Sequence, residues 1–125
     1  LDEKIEQRKP DPSHPDSVII LGVRYTIEYA DKPSEVDIYK RESLWGQIDY
    51  WTRTIRIYDR DTSAEDRWHS IIHEVLHGII TALKIDKLKD GEDEIDLLAM
   101  ALMDVMFRNK WLRKEIINNG EAPGE

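Results

Sequence analysis

Between Trp68 and Leu83 the apolar residues Trp68, Ile71, Ile72, Val75, Leu76, Ile79, Ile80 and Leu83 recur with the period of a helix. No other stretch constrains the fold as tightly, because a run of this kind must be helical and must bury one face. Thr62-Ser63-Ala64-Glu65 precedes it and reads as a capping box. The same helix carries His73-Glu74-Val75-Leu76-His77, the pattern H-E-x-x-H. Residues four apart share a helical face, so both imidazoles can reach one ion. Glu74, beside the first histidine, is placed to exchange a proton with a water on that ion.

The chain has 125 residues, a net charge of -8, 35% charged residues and no cysteine. That length suits one domain with a modest core. The acidity disfavours direct nucleic-acid binding, which draws on basic surface, and is read as solubility. Without cysteine, disulfides and thiolate metal sites are excluded, and any metal must be held by histidine and carboxylate, with zinc the first candidate. No apolar run is long enough to span a bilayer and no leader peptide is visible. The expectation is a cytoplasmic protein with no membrane association.

Residues 1–16, punctuated by Pro10, Pro12 and Pro15, read as a flexible lead-in, and His14 within it is assigned no role. Residues 17–117 form the single domain and residues 118–125 a frayed tail. Ser17 to Tyr29 reads as one strand with a bulge or bend at Gly22. Asp31 to Arg41 is a loop or a short helix entered at Pro33. Leu44 to Asp49 and Thr54 to Tyr58 read as strands joined by a turn at Tyr50 to Arg53. A charged loop ends at Asp90-Gly91. The helix that follows, Glu92 to Asn109, is apolar nearly all round at its start, as a central helix would be. Trp111 to Ile117 forms a short closing helix. Trp45, Trp51, Trp68 and Trp111 are assigned mostly to the core. The predicted fold is α+β: a small antiparallel or mixed three-stranded sheet packed on the H-E-x-x-H helix and the following buried helix, a minimal zincin-like arrangement.

A catalytic zinc site needs three protein ligands and an open position for water. His73 and His77 supply two. The third is expected at the start of the next helix, where Glu92, Asp93, Glu94 and Asp96 cluster. Acids in a first turn also serve the helix dipole. Glu94 shares a stripe with Leu97, Leu98 and Ala101, so it is expected to point with the core-facing side chains and ranks first. Asp96 is next and Glu92 third. His69 lies eight residues from His77, about 12 Å along the axis, so the two cannot share an ion. It is read as a neighbour of the site, in the cleft or behind a ligand, or as a plain surface histidine. Glu74 is the expected general base, and His69, Tyr50 and Tyr58 are the available donors for an oxyanion. Strand Thr54 to Tyr58 is placed at a sheet edge, where an extended peptide could pair with it.

Gly46, Asp49, Thr54 to Tyr58, Ile71-Ile72-His73-Glu74-Val75-Leu76-His77-Gly78 and Leu97-Leu98-Ala99 occur here in an order that resembles the ImmA/IrrE-type zinc metallopeptidases of bacteria, prophages and phages. The resemblance covers roughly Val18 to Asn109. In that family a glutamate opening a helix of the form E-A-N-x-F-A is the third ligand. Glu94-Ile95-Asp96-Leu97-Leu98-Ala99 stands in register with it, with Asp96 for the asparagine and Leu98 for the aromatic. The resemblance implies one zinc ion on His73, His77 and Glu94, with Glu74 as base. It further implies a narrow-specificity, regulatory peptidase whose substrate is a protein or peptide such as a phage-type regulator. The competing expectation is a catalytically silent, metal-stabilised module that acts by binding a protein.

Overall fold

The computed structural model describes residues 14–32, 36, 45–88 and 90–120. The fold is α+β, and the described residues form a mixed sheet of four strands and three helices. The strands are β1 (Ser17–Ile20), β2 (Val23–Ala30), β3 (Gly46–Asp49) and β4 (Thr54–Tyr58), in the order β1-β2-β4-β3. The outer pairs are antiparallel and β2 runs parallel to β4. The helices are α1 (Ala64–Leu83), α2 (Glu92–Arg108) and α3 (Lys110–Gly120), with a 3-10 turn at Asp86–Leu88 between the first two. Among the described residues no helix is long and apolar enough to cross a membrane.

The sheet has one strand more than the three expected, because Ser17 to Tyr29 is a hairpin and not a bulged strand. Ile20 pairs with Val23 across a two-residue turn in which Leu21 and Gly22 have φ of 47° and 85°. Positive φ at both positions is the turn geometry that matches strand twist. Glycine adopts it freely, whereas Leu21 is held there against its Cβ.

Strand alternation sorts β4 into two faces. Ile55 and Ile57 are fully buried against α1 and join Ile20, Tyr25, Ile27 and Ile71 in the core. Trp68, Val75 and Ile79 of α1 pack on its rim. On the opposite face Arg56 is also buried, its Nε donating to the Val36 carbonyl at 2.9 Å and its NH2 to Asp49 Oδ2 at 3.0 Å. Asp49 also accepts from the Trp51 and Thr52 amides through Oδ1, so one carboxylate closes the β3–β4 turn and neutralises the buried guanidinium. Burial opposes the charge on Asp49, but the bonds from Arg56 and Thr52 outweigh it and hold the carboxyl below its ordinary value. Strand β4 lies between β2 and β3 and so is not the edge expected for Thr54 to Tyr58; among the described residues the edge strand on that side is β3.

Helix α1 starts where its pattern predicts, with the cap one residue later than expected. Ser63 accepts from the Asp66 amide at 3.0 Å, while the Thr62 hydroxyl donates to Asp59 at 2.6 Å. Helix α2 turns Ile95, Ala99 and Met103 inward and leaves Leu97, Leu98 and Leu102 exposed, so it is not the enclosed central helix its composition suggests. Trp45, Trp51 and Trp111 are likewise exposed, and Trp68 alone of the four packs on the core. At the described end of the lead-in, His14 Nε2 lies 2.7 Å from Asp59 and Tyr29 donates to the Pro15 carbonyl, which ties this stretch to the domain. The expectation for Asp31 to Arg41 falls largely outside the described residues, as do residues 1–13 and 121–125.

Two stability outcomes follow from the sheet. Leu21→Asn, which relieves the left-handed strain, should raise unfolding free energy by about 1 kcal/mol in urea melts. Asp49→Ala should lower it by about 3–5 kcal/mol by stranding a buried Arg56. In the wild type the Asp49 contribution is present above its ordinary pKa and is lost as pH falls through the depressed folded value. The penalty of the substitution should therefore shrink in acid melts.

Candidate metal centre

Helix α1, the edge strand β3 and the first turn of α2 enclose a cleft of about 790 Å3. The helix presents His73, Glu74, His77 and Thr81 to it, because these positions fall on the side of α1 that meets β3 and α2.

The two imidazoles meet edge to edge, with His73 Nε2 3.1 Å from His77 Nε2. Glu92 closes a triangle with them. Its Oε2 lies 3.1 Å from His73 Nε2 and its Oε1 2.7 Å from His77 Nε2. Asp96, one turn further along α2, sets its Oδ1 3.1 Å from His73 Nδ1. A carboxylate only accepts, so Asp96 favours a proton on His73 Nδ1, which would leave Nε2 to face His77 and Glu92 with its lone pair. Burial holds the His77 imidazole below its ordinary value, with the His73 charge acting in the same sense, and Glu92 pulls the other way. A lone pair on Nε2 opposite a carboxylate oxygen is closed either by a second ring proton or by a cation between them. Ligand atoms about 2.0–2.1 Å from a tetrahedral zinc lie about 3.3 Å from one another, close to the spacing of this set. His73, His77 and Glu92 thus fit a divalent metal in both chemistry and reach.

Glu74 lies on the sheet side of these groups, buried, with Oε2 3.9 Å from His73 Nε2. Burial and then the charge of Glu92 push its carboxyl up to about 8, against the pull of the Ile48 backbone amide. The close seat of this carboxylate depends on Gly46. A Cβ there would lie 3.0 Å from Glu74 Oε2 and 3.3 Å from its Cγ.

The acids at the start of α2 are sorted by the helical turn. Glu92 and Asp96, four apart, face the histidines. Glu94 is two residues from Glu92, about 200° around the helix. It is exposed, and its carboxylate folds back towards Gly91. Its stripe partners Leu97 and Leu98 are 65% and 47% exposed, so the face that ranked it first points to solvent. The signal for Glu92 and Asp96 was their spacing relative to Ile95, Ala99 and Met103, the stripe that is buried.

His69 Nε2 stands 3.0 Å from the Asp96 oxygen that faces His73, outside hydrogen-bonding geometry, and His69 is a neighbour of the centre. Of the three expected oxyanion donors only Tyr50 lines the cleft, donating to the His77 carbonyl at 3.2 Å and accepting from Thr81 at 2.9 Å. Burial raises its pKa further, so its hydroxyl keeps its proton. Tyr58 packs instead against Trp45, ring edge to face at 4.8 Å.

The chain matches no protein family, no curated protein and no solved structure. The reading of the centre therefore rests on its own geometry. In zinc titrations of the whole protein, Asp96→Asn should weaken binding about 10–100-fold through the loosened His73 ring. Glu92→Gln should weaken it further than Asp96→Asn, and Glu94→Gln should leave it unchanged.

Proposed function

We propose that this protein is a zinc-dependent metallopeptidase that cleaves a peptide bond in a specific protein substrate. The observation that carries the reading is the triangle of His73 Nε2, His77 Nε2 and the Glu92 carboxylate, with the buried carboxylate of Glu74 beside it. A metal-stabilised binding module would need the triangle but has no use for an ionisable carboxyl held out of water at that point.

His73, His77 and Glu92 would hold the ion, which when bound polarises the scissile carbonyl and makes water more acidic. Glu74 Oε2 takes the proton from the attacking water as its oxygen joins the carbonyl carbon. The same oxygen returns that proton to the amine nitrogen as the C–N bond breaks, so Glu74 ends unchanged. Burial and Glu92 raise its proton affinity in the metal-free protein, and a cation held by His73, His77 and Glu92 would lower it again and so free the carboxylate to accept. Tyr50, protonated and at the cleft wall, is the expected donor that lines the cleft; to serve the carbonyl oxygen as charge grows there, its hydroxyl would turn from the His77 carbonyl to which it now donates. Strand β3, at the edge of the described sheet, borders the cleft, and an extended chain could lie alongside it there. Order and spacing of the motifs resemble the ImmA/IrrE-type peptidases, and on that resemblance the substrate is a single regulatory protein.

The test pairs metal analysis with turnover. Wild type and Glu74→Gln should each bind one equivalent of zinc, and a peptide library should be cleaved by the wild type alone. Equal inactivity of both at full zinc loading, across candidate protein partners, would sink the peptidase reading in favour of the binding module.

A further inference from the structure

Helix α2 has an apolar stripe that nothing in the described structure covers. Leu98, Ala101, Leu102 and Val105 follow the i, i+3, i+4, i+7 spacing of a helix-pairing seam and all are exposed, the three large ones by 43–47%. The stripe lies about 180° around the helix from Asp96, so it is directed away from the metal centre. Helix α3 follows directly, has its main contact with α2, and exposes Trp111, Ile116 and Ile117 by 54–65%, with no side chain buried between Lys110 and Asn118. An isolated helix of 11 residues is marginal in water, so α3 needs a surface to pack on.

We propose that a second copy of this chain occupies the seam, as an antiparallel two-fold dimer through α2 with α3 at its ends. Charge selects this occupant. Of the acids that open α2, Glu92 and Asp96 face the histidines and Glu94 lies beside the seam, while the far end of α2 carries Arg108, which also pairs with Asp104 of its own helix, and runs into Lys110, Arg113 and Lys114. A two-fold axis beside Ala101 and Leu102 sets the acidic start of each α2 against the basic end of the other. In that register Leu98 meets the partner's Val105, Ala101 meets the partner's Leu102, and Glu94 comes to the partner's Arg108. The small side chain of Ala101 allows the helices to approach where they cross. A run of large apolar side chains this exposed, from Leu97 to Ile117, marks an interaction surface. Paired this way the cleft of each copy stays open, and the acids that face the histidines are carried on a helix braced from behind.

The absence of cysteine makes the test direct. By sedimentation equilibrium the whole protein should show twice the 14.7 kDa chain mass. Leu102→Glu should return it to the single-chain mass with its circular dichroism retained. Ala101→Cys should form an intermolecular disulfide under mild oxidation, and Glu115→Cys should not. Glu94→Lys should weaken association, and adding Arg108→Glu should restore it. A wild type that sediments at the single-chain mass across the dilution series would overturn the proposal and leave the seam to another protein or to another part of this chain. A dimer that Ala101→Cys fails to cross-link, or that Leu102→Glu fails to dissociate, would overturn the α2 register.

Discussion

The position of every group in the cleft depends on how closely α1 lies on the sheet. Gly78 sets that distance. A Cβ at this point would fall 2.8 Å from Ile20 Cδ1 and 3.2 Å from Ile48 Cδ1, so the helix can settle against β1 and β3 only where it has no side chain. One turn earlier, Glu74 occupies the space that this approach creates, and Gly46 on β3 leaves room for its carboxylate. The two glycines face each other's element, one on the helix and one on the strand. Together they put a carboxyl group in a dry seam beside two imidazoles, and its raised proton affinity is a consequence of that seat and not of its motif alone.

Much of this was legible in the chain, for identifiable reasons. Helix α1 declares itself because its apolar positions have one period and one face. Strand β4 does so because Ile55 and Ile57 alternate with Arg56, and the short turn before it announces β3 as one neighbour, although its parallel pairing with β2 on the other side was hidden, since alternation says nothing about distant neighbours. The hairpin at Leu21-Gly22 escaped because its first turn position is a leucine, which carries no turn signal and is held in place by the pairing of Ile20 with Val23. The burial of Arg56 under the Val36 carbonyl joins residues twenty apart and leaves no local trace.

The ambiguity over the acids of α2 has a physical origin. A helix that is apolar on most sides has no face that hydrophobicity alone can identify, so any of its stripes can be taken for the buried one. The stripe of Leu97, Leu98 and Ala101 and the stripe of Ile95, Ala99 and Met103 look equally suited to a core. Packing against α1 chooses the second. The first two or three positions of the helix then follow as a matter of angle, with Glu92 and Asp96 turned to the histidines and Glu94 turned out.

The residues of the triangle come from two helices joined by a short linker, with the imidazoles on α1 and Glu92, itself 68% exposed, on α2. An ion shared across that joint would be a cross-link as well as a reagent. It would bind the folded pairing of the helices and not the separated one, so the free zinc concentration would enter the folding equilibrium directly. At a hundredfold excess over the dissociation constant such linkage amounts to about 2.7 kcal/mol. A cell could then adjust how long this protein lasts, and not only how fast it works, through the supply of a metal.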